Sequence, residues 1–275
     1  MTASTRVAMR TYWQAVRARV TMAAPAAVMH LAITAVVAAV AAALVLLVWY
    51  PGPYAELSGG GELFLLLVGV DIVCGPLLTL VLFDRKKPRA ELVRDLGLVV
   101  AIQVLALSYG MHTSLVAKPL YLVHEVDRFR VIAQPDFLGA DVQQDIESLP
   151  DELRPTPLSG PRVVGTRKPR NSEEQMEVVL QALNGGRDVA QRPDFYVPYD
   201  GAYALYASAR AKPLMRFVER NPNRADELAQ LLRNVSVPMP MAKFLPVVHR
   251  QDWIVVLGPK GQIVGFAPGD GFAIP

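Results

Sequence analysis

Three apolar segments dominate the first half of the chain. They cover residues 26–50, 63–83 and 96–116, and no Lys or Arg occurs between Arg19 and Arg85. A helix needs about 20 residues, at ~1.5 Å each, to cross the hydrocarbon core of a bilayer. The pattern therefore predicts a membrane protein with three transmembrane α-helices.

The segments that flank these apolar runs differ in charge. Four arginines and no acid precede the first run, residues 51–62 contain only acids, and residues 84–95 contain five Lys/Arg. Short loops rich in Lys/Arg stay in the cytoplasm, so residues 1–25 are predicted to be cytoplasmic and residues 118–275 to lie outside. The first run is too long for a cleaved signal peptide, which predicts an uncleaved signal anchor. The outer aromatic belt is predicted at Trp49, Tyr50 and Tyr54.

From Lys118 onward the pattern is that of a separate α+β domain. Residues 120–133 are rich in β-formers and partly alternate, which predicts a strand that leaves the membrane directly. Residues 150–169 contain five prolines and predict a loop, interrupted by a short strand at 162–166.

The clearest helix signal lies at residues 172–183. Ser172 and Gln175 have the spacing of a capping box, and Asn184-Gly185-Gly186 ends the helix. Its apolar residues fall on one stripe, the pattern of an amphipathic helix: Met176, Val179, Leu180 and Leu183. Further helices are predicted at 201–211, 213–220 and 224–233, and strands at 243–249, 253–257 and 262–267.

The charge distribution argues against nucleic-acid binding. The net charge is +3, but residues 1–117 carry nine basic and six acidic side chains, whereas residues 118–275 carry 19 of each. A balanced surface offers no footprint for a phosphate backbone. Cys74 is the single cysteine, so the chain forms no internal disulfide and no cysteine-based zinc site.

Motifs for catalysis are absent from the sequence. The four histidines are dispersed, and no nucleophile elbow, zinc-protease motif or phosphate-binding loop occurs. On a strand His124 faces opposite to Glu125 and Asp127, so these three would not converge on a metal. We therefore expect structural roles for them, and predict no catalytic residue, metal or cofactor.

Asp71 is the sharpest local feature, because an ionisable group inside an apolar helix is costly. One interpretation is an internal tie, in which Asp71 bonds Ser108 or Tyr109 of the third segment. The other is a contact with the membrane segment of a partner. Gly75 and Pro76 follow on the same helix and would allow close backbone approach there.

Two stretches carry a family resemblance: YPGPYAELSGGGELFLLLVGVDIVCGPLLTLVLFD at residues 50–84 and KPLYLVHEVDRFRVI at residues 118–132. Together they resemble the TfpX/TfpZ family of type IV pilin accessory proteins. The resemblance implies an inner-membrane protein of Gram-negative bacteria that supports the stability, assembly or surface display of pilin. It implies no enzymatic activity and no cofactor.

The partners implied by the resemblance are the cognate type IV pilin, the pilus assembly machinery and the lipid bilayer. Residues predicted for partner binding or helix packing are Asp71, Gly75, Pro76, Ser108, Asp127, Arg128 and Phe129. Two alternatives remain open at this point: a membrane sensor whose outer domain binds a ligand, and a membrane-anchored periplasmic enzyme. Neither has its own sequence motif.

Overall fold

The computed structural model describes residues 3–59, 61–137 and 142–274, without the side chains of residues 3–8, 15, 61–63, 66 and 67. The backbone divides into two units. The first comprises Met1–Val45 and Glu62–Ser114 and is helical; the second comprises Leu46–Gly61 and Leu115–Pro275 and contains the β-sheet.

Long helices build the first unit. Helix α1 (Ala3–Ala43) runs on into a π-helical turn at Leu44–Trp49. After a short helix α2 (Tyr54–Leu57) in the second unit come α3 (Gly61–Leu82) and α4 (Arg89–Ala117).

The prediction of three transmembrane helices is wrong. Among the described residues only Met9–Trp49 forms a helix long and apolar enough to cross a membrane. Within α3 the apolar stretch found among the described residues, Val68–Leu82, is shorter. Helix α4 is continuous, but its first turns carry Arg89, Glu91, Arg94 and Asp95, and Gln103 and His112 interrupt its apolar run. Apolar composition alone was therefore a poor guide to spans, and the structure is an α+β fold with an N-terminal apolar helix.

The predicted aromatic belt also has a different place. Trp49, Tyr50 and Tyr54 are buried within the second unit. The Trp49 indole N–H donates to the Pro157 carbonyl at 2.7 Å, and the Tyr54 ring meets Phe266 edge-on at 5.6 Å. These aromatic residues attach the segment after α1 to the sheet domain. Packing against protein buries their rings and also gives the indole N–H a hydrogen-bond acceptor.

An eight-stranded mixed sheet forms the second unit, in the order β4-β3-β1-β2-β6-β7-β8 with β5 also paired to β6. Strands β1 and β3, and β2 and β6, run parallel, and the other pairs run antiparallel. The strands are β1 (Pro119–Glu125), β2 (Arg128–Ala133), β3 (Arg162–Thr166), β4 (Tyr196–Pro198), β5 (Lys212–Pro213), β6 (Lys243–Val248), β7 (Trp253–Leu257) and β8 (Ile263–Pro268).

Besides α2, the described residues of this unit form the α-helices α5 (Val142–Ser148), α6 (Ser172–Leu183), α7 (Gly201–Arg210), α8 (Leu214–Arg220) and α9 (Ala225–Asn234). The core has two parts. One packs α8 and α9 on β6, β7 and β8 around Phe217 and Phe244; the other lies against β1 and β3 around Tyr121 and Tyr196.

The predicted elements of this unit are largely confirmed, with one instructive difference. The helix at 172–183 and the strand at 162–166 have the predicted bounds. Residues 120–133, predicted as one strand, form the β1–β2 hairpin, whose turn lies between Glu125 and Arg128. The turn was missed because it holds Val126 and Asp127 rather than a glycine. Val126 nevertheless adopts the positive φ, +50°, that usually calls for glycine in such a turn.

Candidate functional site

Asp71 lies in the helical unit beside Gly75 and Pro76 on α3. Its backbone carbonyl accepts a hydrogen bond of 3.1 Å from the Gln103 side-chain amide on α4. Pro76 has no N–H for the carbonyl of Ile72, so the helical ladder is open at the neighbouring position. A Cβ on Gly75 would lie 2.3 Å from the Gln103 amide nitrogen. Glycine is therefore what lets Gln103 reach the α3 backbone.

Gln103 is one member of a polar chain that joins the three long helices. The Gln103 Oε1 lies 2.8 Å from His30 Nε2, and His30 Nδ1 lies 2.6 Å from the Thr79 hydroxyl. Because Oε1 can only accept, Nε2 carries a proton; in a neutral imidazole Nδ1 then accepts from the Thr79 hydroxyl. The bonds run in one direction, from Thr79 through His30 and Gln103 to the Asp71 carbonyl, and a neutral imidazole is satisfied at both nitrogens.

The predicted partners of Asp71 are not brought to it. Ser108 and Tyr109 are both exposed, and the link between α3 and α4 is made by Gln103. His30, Thr79 and Gln103 were missed as a group. The available signal was the one applied to Asp71: each is a polar side chain inside an apolar helical run, where it needs a partner.

A cavity of about 350 Å³ opens beside this polar chain, within the helical unit. His30, Asp71, Thr79 and Gln103 contribute to one part of its lining, and apolar side chains such as Ile33, Val100 and Leu107 contribute the rest. Such a lining suits an apolar group that carries a few polar atoms.

The β1–β2 hairpin tip carries the second set of predicted site residues. Asp127 is exposed, and its carboxylate pairs with Arg128 at 2.8 Å. The Arg128 guanidinium also lies 5.2 Å from the centre of the Phe272 ring. Val126 is exposed and holds φ +50°, a strained conformation for a β-branched residue. Phe129, the third predicted residue, is fully buried and serves the core instead.

Phe129 belongs to an aromatic cluster around His124. The rings of Tyr199, Tyr203 and Phe129 lie 5.1 to 6.4 Å from the imidazole. His124 Nδ1 lies 3.1 Å from the Tyr203 hydroxyl, while Nε2 is buried and has no hydrogen-bond partner among the described residues. Burial, with a smaller contribution from Arg210, lowers the pKa of His124 to about 4. His124 is thus a neutral core residue at physiological pH.

Glu125 faces away from this cluster and is buried next to Arg130. The two groups lie 3.3 Å apart, and Arg130 also lies 3.1 Å from Asp188. Burial nevertheless raises the pKa of Glu125. His124 and Glu125 therefore have different surroundings, and the described residues contain no group of three or more His, Cys, Asp or Glu that could hold a metal.

Lys118 stands at the start of the sheet domain and is almost fully buried. Its ammonium donates to the carbonyls of Thr156, Pro157 and Ser159, at 2.7, 3.2 and 3.3 Å. Burial lowers its pKa. Together with the Trp49 indole, Lys118 fixes the proline-rich loop, so this cation has a structural task.

Comparison with known proteins adds the biological context. A model of the family described as fimbrial assembly protein FimB matches residues 18–59. The fimbrial assembly protein of serogroup I of Dichelobacter nodosus is 34% identical over 248 residues, which is 89% of this chain and 94% of the relative. The serogroup E1 protein gives the same identity and coverage.

A third relative from Dichelobacter nodosus, the fimbrial assembly protein of serogroups C1 and C2, is 38% identical over 115 residues, or 42% of this chain and 88% of the relative. No solved structure matches the chain significantly. The region 18–59 that matches the family model contains His30 of the polar chain and the buried Trp49 and Tyr54. It thus includes parts of both units.

Proposed function

This chain belongs to the family of fimbrial assembly proteins, and we propose that it binds the pilin subunit at the inner membrane and supports assembly of type IV pili. The observation that carries the proposal is the 34% identity that extends over 94% of a fimbrial assembly protein. The narrower TfpX/TfpZ assignment is part of the proposal and rests on the sequence stretches at 50–84 and 118–132.

The apolar helix Met9–Trp49 supports attachment to the membrane. Arg10, Arg17 and Arg19 lie in its N-terminal part. Basic residues at one end of a span favour the cytoplasmic side, so in our proposal the N-terminus is cytoplasmic. The sheet domain then lies in the periplasm, where pilin exposes its folded part.

Two features support pilin binding. The cavity beside Asp71, Gly75 and Pro76 offers an apolar lining with polar atoms, which suits a segment of an apolar helix. At the hairpin tip Asp127 and Arg128 are available to a partner, and the strain at Val126 has no role in the core. The proposed role is recognition rather than catalysis, in keeping with the family.

The experiment is deletion of the gene in its pilus-forming host, followed by complementation. We expect loss of surface pili on deletion and recovery with the wild-type gene, while transcription of pilin is unchanged. Normal piliation in the deletion strain would contradict the proposal. Total pilin, measured by immunoblot, distinguishes an effect on stability from one on assembly.

A further inference from the structure

Helix α6 presents its apolar side chains outward. Four apolar side chains are exposed: Met176 at 59%, Val179 at 46%, Leu180 at 50% and Leu183 at 77%. Val178, on the opposite side of the helix, is only 7% exposed. The four exposed residues follow the i, i+3, i+4, i+7 spacing that normally faces a core. We refer to these four residues as the α6 stripe.

Polar contacts fix α6 in this orientation. Arg167 makes a bidentate ion pair with Glu174, at 2.8 and 2.9 Å, and Arg192 lies 3.4 Å from Gln181. The two guanidinium groups lie 4.0 and 4.9 Å from the centre of the buried Phe195 ring. Asn171 caps the helix by accepting from the Glu174 N–H.

These contacts determine which face of α6 looks outward. Glu174, Val178 and Gln181 share the inner face, and two of them bind arginines that stack on the core. A rotation that buried the α6 stripe would break the Arg192–Gln181 contact and the Arg167–Glu174 ion pair. That ion pair consists of two charge-assisted hydrogen bonds. The stripe is therefore held in solvent by the same interactions that hold the helix in place.

The charges beside the α6 stripe indicate the occupant. Glu173 and Glu177 lie along one flank, both exposed, and residues 172–183 contain no Lys or Arg. Glu177 also pairs with Arg192 at 3.6 Å, so Glu173 is the acid offered to a partner's cation. The α6 of a second copy would bring the same acids and no cation, so self-association through this helix has no charge complementarity. A helix with an apolar stripe and a basic flank would satisfy both the apolar and the acidic parts.

We propose that the α6 stripe is a docking face for an amphipathic helix with a basic flank, presented by a protein of the pilus machinery. The assignment of this partner to the pilus machinery rests on the proposed function. The assignment of the α6 stripe as a docking face rests on the exposure and fixed orientation of α6. The α6 stripe lies on an element of the second unit other than the β1–β2 hairpin.

The test places a photo-crosslinking amino acid at Leu180 or Leu183 of the full chain in pilus-forming cells. Leu205, an exposed leucine on α7, serves as the matched position. We expect crosslinks from the two α6 positions, and not from Leu205, to a pilus protein. The crosslinked peptide, identified by mass spectrometry, should be an amphipathic helix with Lys or Arg beside the contact.

Charge and apolarity are then tested separately. Leu180→Glu/Leu183→Glu and Glu173→Lys should each lower co-purification of that partner about tenfold or more, with unchanged abundance of this chain. The matched controls are Leu205→Glu and Glu152→Lys, the latter at an exposed acid in the turn after α5, and they should have no effect. Reversal of the partner's basic residue should restore binding to Glu173→Lys.

Crosslinks only to a second copy, or to no pilus protein, would overturn the docking face. So would full retention of the partner by the double glutamate variant. These results are independent of the proposed function: if deletion of the chain abolishes pili but the double variant is fully piliated, the function stands and the α6 assignment fails. If deletion leaves pili intact, the function fails, and the crosslinked peptide still decides the chemistry of the face.

Discussion

At the scale of single residues, His124 connects the hairpin to helix α7. Its Nδ1 lies beside the Tyr203 hydroxyl, which also accepts from the Thr166 N–H at 2.8 Å. A Cβ on Gly165 would lie 2.2 to 2.4 Å from the Tyr203 ring. The small residue on β3 and the ring on α7 are therefore matched in shape, and the hydroxyl ties three elements together.

Gly165→Ala should lower stability, because the Tyr203 ring is held by hydrogen bonds and cannot move away without cost. We expect a loss of about 1–3 kcal/mol, visible as a melting temperature several degrees lower. Gly201→Ala is the control, since a Cβ there meets nothing within 4 Å. Equal melting temperatures for both variants would contradict the close packing of Gly165 against the Tyr203 ring.

The lowered pKa of His124 predicts a pH dependence of stability. Between pH 6.5 and about 4, His124 binds a proton in the unfolded chain but stays neutral in the folded one. The free energy of unfolding therefore falls as the pH falls through this window. The effect amounts to at most about 3 kcal/mol. His249, whose pKa burial also lowers, acts in the same direction, and Glu125, whose pKa burial raises, acts in the opposite direction.

Comparison with His124→Asn isolates this contribution, because the other two groups are common to both proteins. Denaturant unfolding from pH 7 to 4 should show a weaker acid destabilisation in the variant. Parallel curves for the two proteins would show that His124 takes up its proton normally in the fold.

At the scale of elements, the three long helices are joined by hydrogen bonds inside largely apolar surroundings. Gln103→Leu removes the acceptor of His30 and the donor to the Asp71 carbonyl, and should cost about 1–3 kcal/mol because the imidazole N–H loses its partner. Ser108→Ala should be silent, since Ser108 is exposed. Thermal unfolding of the full chain in mild detergent measures both; a larger loss for Ser108→Ala would favour the tie between Asp71 and Ser108.

The elements also show what a sequence can and cannot predict here. The bounds of α6 were predicted correctly, because local capping and termination signals flank residues 172–183. The cap itself was predicted one residue too late, since Asn171 and not Ser172 caps the helix by accepting from the Glu174 N–H. Its outward orientation depends on Arg167, Arg192 and Phe195, whose positions are fixed by the tertiary fold. Likewise, Gln103 and His30 are 73 residues apart in sequence and meet only because their helices pack together. Local signals predict elements, and distant contacts decide which faces meet.

In the whole molecule, the helix Met9–Trp49 is long and apolar enough to cross a membrane, its first turns carry arginines, and the aromatic residues at its end and just after it are buried in the sheet domain. This arrangement predicts that the sheet domain is periplasmic. Alkaline phosphatase fused after Lys260, in the loop between β7 and β8, should be active. A fluorescent protein fused at the same position and exported through the general secretion route should be dark. The reverse pattern would place the sheet domain in the cytoplasm and exclude a periplasmic encounter with pilin.

Pilin binding is tested most directly by recovery of pilin with the affinity-tagged full chain from membranes of pilus-forming cells. We predict that pilin co-purifies in detergent, and that the yield falls in a Val126→Gly/Asp127→Ala/Arg128→Ala variant of normal abundance, with Leu205→Ala as the matched control. Absence of pilin from the wild-type preparation after crosslinking in intact cells, where the tagged chain supports normal piliation, would contradict direct binding.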